Sequence, residues 1–312
     1  MAKKSEKHSD EKILELAKER FKNCQNFWSP VYLEALDDLK FRAGHQWDSA
    51  LLADRKLKGR PHLTINKIPQ FVRQIANEMR QNKPAIKVYP VDDKADIEVA
   101  KIRSGIIRNI EYSSKAAVAY NTAGECAVDR SIGFFRLATD YCSHDSFDQE
   151  IKIIPVYNPF SCYIDPASQE IDGSDSNYGF VFDEVSKYQL ESEYPEAECF
   201  EAGNWDSLVD GEWFHEDRCR VVEYFYKDFK KITLYKLDVF GEALIVEDEK
   251  DIPEGAVVVE KREAIKPQVK WCKIIGNKIL EKSDWPGSWI PIIPVFGSRY
   301  YLDGRWHRES VS

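Results

Sequence analysis

Apolar residues recur at three- and four-residue steps through roughly the first 130 positions, then give way to short β-branched and aromatic runs between turns. Leu14, Ala17, Phe21, Cys24 and Trp28 mark a first helix that Ser9 or Asp10 is placed to cap. Ser29-Pro30 predicts a restart, because serine suits the N-cap and proline the first helical position. Leu33, Leu36, Leu39 and Phe41 carry that second helix toward Gly44, and Ala43 to Asp48 reads as a turn anchored by Trp47. A loop with Lys56, Lys58, Gly59, Arg60 and Pro61 leads to a third helix from about Asn66. There Ile68, Phe71, Val72, Ile75 and Met79 share one stripe, while Arg73 and Arg80 lie together off it. Pro69 is tolerable in the first turn, and Pro84 ends the run before a short extended segment, Ile86 to Pro90. Two more helical stretches are carried by Val99, Ile102, Ile106 and Ile110, and by Ala116, Tyr120, Ala123 and Ala127.

The period changes at Gly133. Residues 134–139, 151–154, 160–164 and 180–182 read as short strands, and Pro195 closes a short helix. An acidic, glycine-containing loop follows to about Asp217, after which strand-like runs resume at 221–226, 232–235, 257–259 and 269–271. Helices first and strands afterwards predict an α+β chain, mainly helical over 1–132 and strand-rich over 133–312, rather than a doubly wound α/β sheet.

Charge adds an asymmetry. The net charge is −9, but residues 1–110 carry 22 Lys and Arg against 15 Asp and Glu, and residues 111–312 carry 22 against 38. Residues 163–217 alone hold 16 acidic side chains and one basic one, Lys187. So acidic a chain is poorly suited to wrapping DNA, where affinity comes from neutralising phosphates. An acidic half can instead repel DNA or meet a basic protein surface. No apolar run approaches the length of a membrane span, and the polar start is no signal peptide, which implies a soluble, intracellular chain. The seven widely spaced cysteines include no Cys-x-x-Cys pair, so reduced, mostly buried thiols are expected rather than a disulfide framework or a zinc site.

Catalytic chemistry finds little footing. Gly133, Gly173 and Gly179 are isolated, so no phosphate-cradling loop forms, and no Gly-x-Ser-x-Gly elbow occurs. The six histidines are scattered without metal-binding spacing. Asp172 to Asn177 clusters short oxygen ligands but lacks the sixth-position glycine and closing glutamate of a calcium hand, so it reads as a turn; the same holds for Asp145 and Asp148. No catalytic, cofactor or metal residues are assigned, and no cofactor is expected. The candidate binding residues are Arg73, Arg80, Lys83 and Lys87, a basic helix flank that faces a subunit, phosphate or solvent.

An ordered series of segments resembles the portal proteins of short-tailed, podovirus-type bacteriophages and their prophages. It comprises Phe41 to Trp47, Arg60 to Lys67, Asn77 to Asn82 with Ile86 to Val88, and Pro90 to Asp93. Ser146 to Ile151, Asn158 to Phe160, Tyr163 to Pro166, Asp172 to Asp175 and Ile290 to Val295 continue it. The resemblance implies a structural, non-enzymatic subunit of a dodecameric ring at one capsid vertex, present in the virion and, during assembly, in the host cytoplasm. It implies partners as well: capsid and scaffolding proteins, the large terminase subunit, tail adaptor proteins, and DNA passing through the channel without sequence specificity, with no membrane. Family members are longer, so this chain is expected to be a truncated N-terminal part, the wing, lacking clip, stem and channel. The alternative is a nucleic-acid-binding module using the basic helix around Arg73 and Arg80, and a third reading is a metal-dependent hydrolase built on the Asp145 to Asp175 carboxylates.

Overall fold

A computed structural model describes residues 2–82, 85–91, 96–195, 218–239, 242–247, 251–253 and 257–311. The chain is α+β: helices come first and antiparallel sheets follow.

Helix α1 runs unbroken over Ala2–Arg42, with Pro30 inside it. At about 1.5 Å per residue its 41 residues extend about 60 Å. The expected restart at Ser29-Pro30 does not occur. Proline there withholds one N–H from the helix, but Pro30 and Asn26, whose carbonyl loses that bond, are both exposed to water. On the opposite face Trp28 and Tyr32, either side of the proline, are buried against the same strand and hold the helix together.

Helix α2, Ser49–Leu57, occupies a stretch expected to be loop, started by the Asp48 carboxylate, which accepts the N–H groups of Ala50 and Leu51 at 3.0 Å each. Helix α3 spans Ile68–Gln81, with Asn66 Oδ1 accepting the Ile68 N–H at 3.3 Å. Its buried positions are Val72 and Ala76, while Phe71 and Met79 of the expected stripe are exposed. Helix α4, Ile97–Ser113, departs further from expectation: Ala100 and Ser104 are buried, and Val99, Ile102 and Ile106 face solvent. Its small side chains make the close approach, since the Ser104 hydroxyl accepts the Val88 N–H at 3.0 Å and donates to the Ala100 carbonyl at 2.9 Å. Helix α5, Ala116–Arg130, is buried along Ala119, Ala123 and Ala127.

Strands β1 (Ile132–Tyr141), β2 (Gln149–Pro155) and, late in the chain, β9 (Ile292–Phe296) form an antiparallel sheet in the order β2-β1-β9, against which α5 packs. A six-stranded sheet contains β3 (Cys162–Ile164), β4 (Tyr178–Ser186), β5 (Arg218–Val239), β7 (Val257–Ile275) and β8 (Lys278–Asp284) in that order, with β6 (Glu242–Val246) added to β5. The expected short helix before Pro195 is α6, Lys187–Glu193, capped by Ser186. The acidic stretch expected to be loop over 196–217 lies outside the described residues. Four expected short runs merge into two long strands, β5 and β7, paired from Val222↔Ile274 to Asp238↔Val257. The 22 residues of β5 reach about 70 Å at about 3.3 Å each. A small hairpin, β10 (Ser298–Leu302) with β11 (Arg305–Glu309), turns through Asp303 and Gly304, both at positive φ.

The main core lies between α1 and the six-stranded sheet. Phe21 packs 5.3 Å from Tyr163, 5.6 Å from Phe180 and 5.0 Å from Phe182 between ring centroids. Strand β3 is a sheet edge, and α1 satisfies its outward carbonyls with side chains. The Trp28 indole N–H donates to Ile164 O at 2.9 Å, the Cys24 thiol donates to the same oxygen at 3.4 Å, and the Tyr32 hydroxyl donates to Cys162 O. Arg136 of β1 joins the two sheets, pairing with Glu223 at 2.6 Å and Asp183 at 3.4 Å. The expectation of reduced thiols holds at Cys24, Cys126, Cys142, Cys162 and Cys272, with Cys142 exposed. It fails at Cys219, which is disulfide-bonded. Wide spacing in sequence does not keep two cysteines apart in a folded chain.

Candidate functional site

Of the basic residues singled out in sequence, Arg73, Arg80 and Lys87 lie within the described residues, in different surroundings. Arg80 stays about half exposed and pairs with Glu125 of α5 at 3.1 Å. Arg42 at the end of α1 reaches the other oxygen of Glu125 at 3.6 Å and Asp129 at 2.6 Å, and Arg130 also meets Asp129, at 3.1 Å. Asp129 is 0% exposed while Arg80 and Glu125 stay partly exposed, so the cluster is a clasp between α1, α3 and α5 that is buried only at its Asp129 end. Arg73 remains exposed, and Lys83 lies outside the described residues.

Lys87 joins a surface that the sequence did not reveal. With Val88 and Tyr89 it borders an open depression of about 390 Å³, whose far wall is Lys101, Ser104, Gly105 and Arg108 of α4. Three cations thus ring a small apolar floor, and a Cβ added at Gly105 would meet nothing within 4 Å. Beside them α4 presents Ile102 at 62% and Ile106 at 54% exposure. The spacing that suggested a core stripe instead builds an exposed apolar ridge, and such patches mark interaction surfaces. The available signal was the Ala100/Ser104 pair at i and i+4, small enough for another backbone to approach.

A second projecting feature is the tip of the β1–β2 hairpin, residues 142–148. Cys142 N–H donates to Asp148 O at 2.9 Å, Ser146 N–H to Ser143 O at 3.2 Å, and the Ser143 hydroxyl to Asp145 Oδ1 at 2.6 Å. That last bond, ahead of a bond from Asp145's own backbone, holds its carboxyl below the ordinary aspartate range. On the returning limb of this loop Phe147 is 97% exposed.

The carboxylates weighed as cation ligands are engaged as turn acceptors. Asp175 accepts from the Ser168 hydroxyl at 2.5 Å and the Gln169 N–H at 2.6 Å, and Asp172 accepts the Ser174 N–H at 3.0 Å. Buried Asp165 binds the Ala167 N–H at 3.0 Å and both nitrogens of Asn177 at 3.1 Å. Among the described residues no three His, Cys, Asp or Glu side chains converge as metal ligands, and no helix is long and apolar enough to cross a membrane.

Comparison with known proteins gives this arrangement its context. Residues 18–311 match the model of the phage P22-like portal protein family, and the chain belongs to that family. It is similar to the portal protein of Acyrthosiphon pisum secondary endosymbiont phage 1, 26% identical over 280 residues that cover 83% of this chain and 39% of that protein. The chain thus spans about two fifths of the length of the curated relative it matches.

Proposed function

We propose that this chain forms the wing of a phage portal subunit, a structural part without catalysis, in a ring of about twelve copies at one capsid vertex. In this reading residues 1–132 are the helical part of the wing and 133–312 its strand-rich module. In this reading the clip, stem and channel are not part of this chain. The complete portal contacts capsid and scaffolding proteins, receives the terminase during packaging, and later binds tail adaptors. DNA passes through without sequence specificity, in the virion and, during assembly, in the host cytoplasm.

The family match over residues 18–311 carries the proposal. Two physical features support it. The excess of acid over base in residues 111–312 disfavours DNA binding, in keeping with a structural wing that does not hold DNA. The exposed ridge of α4 and the open basic depression beside it fit a subunit that is covered on assembly. Light scattering on the purified chain tests the reading: association to a mass many times 36.2 kDa, with negligible DNA affinity at moderate salt, is expected. Tight, steeply salt-dependent DNA binding by a monomer would favour a nucleic-acid-binding module instead.

A further inference from the structure

The hairpin tip carries an exposed ring between acidic residues, and the α4 depression is open and bordered by three cations. We propose that they are the two halves of a head-to-tail contact between copies of this chain: Phe147 of one copy enters the depression of the next, with its flanking carboxylates among that copy's cations. The inference rests on the ring-subunit reading and names one of its contacts.

The tip is built as a presented hook. Its internal hydrogen bonds fix the loop, so Phe147 is held out in water by ordered backbone instead of folding back onto the sheet. Asp145 and Asp148 flank the ring, and Asp140 follows on the exposed end of β1. Tyr141 and Ile151 broaden the apolar base. A lone exposed phenylalanine is unremarkable, but one projected by a hydrogen-bonded loop between acids is a candidate anchor for a basic, apolar recess.

The depression supplies that recess. Val88 and Tyr89 give apolar contact, Gly105 leaves the wall open for a ring, and Lys87, Lys101 and Arg108 stand around the rim. Among the described residues no ion pair within the chain engages these three cations, so they are available to carboxylates from outside. Charge complementarity points to a second copy as the occupant, since the same chain carries both the acidic hook and the basic socket. Because the two surfaces differ, the contact is heterologous, the kind that repeats head to tail and makes a ring when its rotation closes. Oppositely charged rims steer such an encounter and make it sensitive to salt.

Sedimentation velocity at low salt on the full chain and four variants tests the contact. Phe147→Asp removes the hook, and Gly105→Leu fills the socket while improving the helix that carries it. Each should weaken self-association about tenfold or more. Asp145→Lys with Asp148→Lys, and separately Lys101→Glu with Arg108→Glu, should each do likewise, and mixing the two swapped proteins should restore association. If the unmodified chain associates and the variants associate equally well, the hook and socket are wrong and the ring reading stands. If the unmodified chain stays monomeric at micromolar concentration and low salt, both fall.

Discussion

Replacing Trp28 with Phe probes the attachment of α1 to the six-stranded sheet. Trp28 is 2% exposed, its N–H bonds Ile164 O at 2.9 Å, its ring stacks on Tyr32 at 5.8 Å, and the Arg308 guanidinium lies 4.6 Å from its centroid. Phenylalanine keeps an aromatic ring but deletes the donor. Leaving a buried acceptor without its partner costs about 1–3 kcal/mol, and the Cys24 thiol at 3.4 Å still serves Ile164 O, so the lower half of that range applies. The smaller ring leaves a gap worth about 1 kcal/mol. The total is about 2–3 kcal/mol, a thermal shift of about 3–5 °C for a chain of this size. Trp28→Ala should cost about 3–5 kcal/mol. Thermal scans by circular dichroism, with urea unfolding as a second measure, read both variants. Native-state thiol labelling adds a local probe, because Cys24 is buried on the same face of α1 and burial pushes its thiol well above the ordinary range. A Phe variant within about 0.5 kcal/mol of the unmodified chain would refute the anchoring role.

Two other substitutions test the junctions between layers. Arg136→Met removes the cation shared by Glu223 and Asp183 and should cost about 2–3 kcal/mol, below the full buried-pair value because the groups are partly exposed. Burial, opposed by Arg136 and reinforced by Glu223, holds the Asp183 carboxyl above the ordinary aspartate range. The folded state therefore keeps that proton to higher pH than the unfolded chain. The resulting stabilisation is full below the unfolded pKa and is lost as pH rises through the folded one. Arg136→Met should move this loss to higher pH in a carboxyl NMR titration; a downward shift would contradict the assignment. Gly133→Ala sets a Cβ 2.1 Å from the Ala123 carbonyl oxygen, where backbone must yield, and should cost about 1–3 kcal/mol or more. Gly124→Ala meets only the flexible tip of Met79 and should cost clearly less in the same urea titration; equal losses would contradict the close approach of α5 to β1.

What the sequence revealed follows where local and tertiary forces agree. Ala17, Phe21, Cys24 and Trp28 were legible as one helical face because all four are buried in one core. Ser29-Pro30 misled because a good local start signal was outweighed by Trp28 and Tyr32 docking on one strand edge. In α4 the large aliphatic residues suggested the core, yet the buried side follows Ala100 and Ser104, where close packing favours small side chains. Strands β5 and β7 looked like four pieces because polar residues such as Asp228 and Lys230 interrupt the apolar runs; Asp228 is paired with Lys270 across the ladder at 2.7 Å, so the strand continues. The basic site was half visible: Lys87 was named, but Lys101 and Arg108 reach it only through the packing of α4 against residues 86–89. Arg80 lies off the core stripe as the spacing indicated and is exposed, but its partner Glu125, far along the chain, could not be read from sequence.

The central claim is that this chain carries ring-forming contacts of a portal subunit. Negative-stain imaging of the purified chain at micromolar concentration and low salt tests it most directly. Closed rings of about twelve copies are the predicted result; a uniform field of monomers would contradict it.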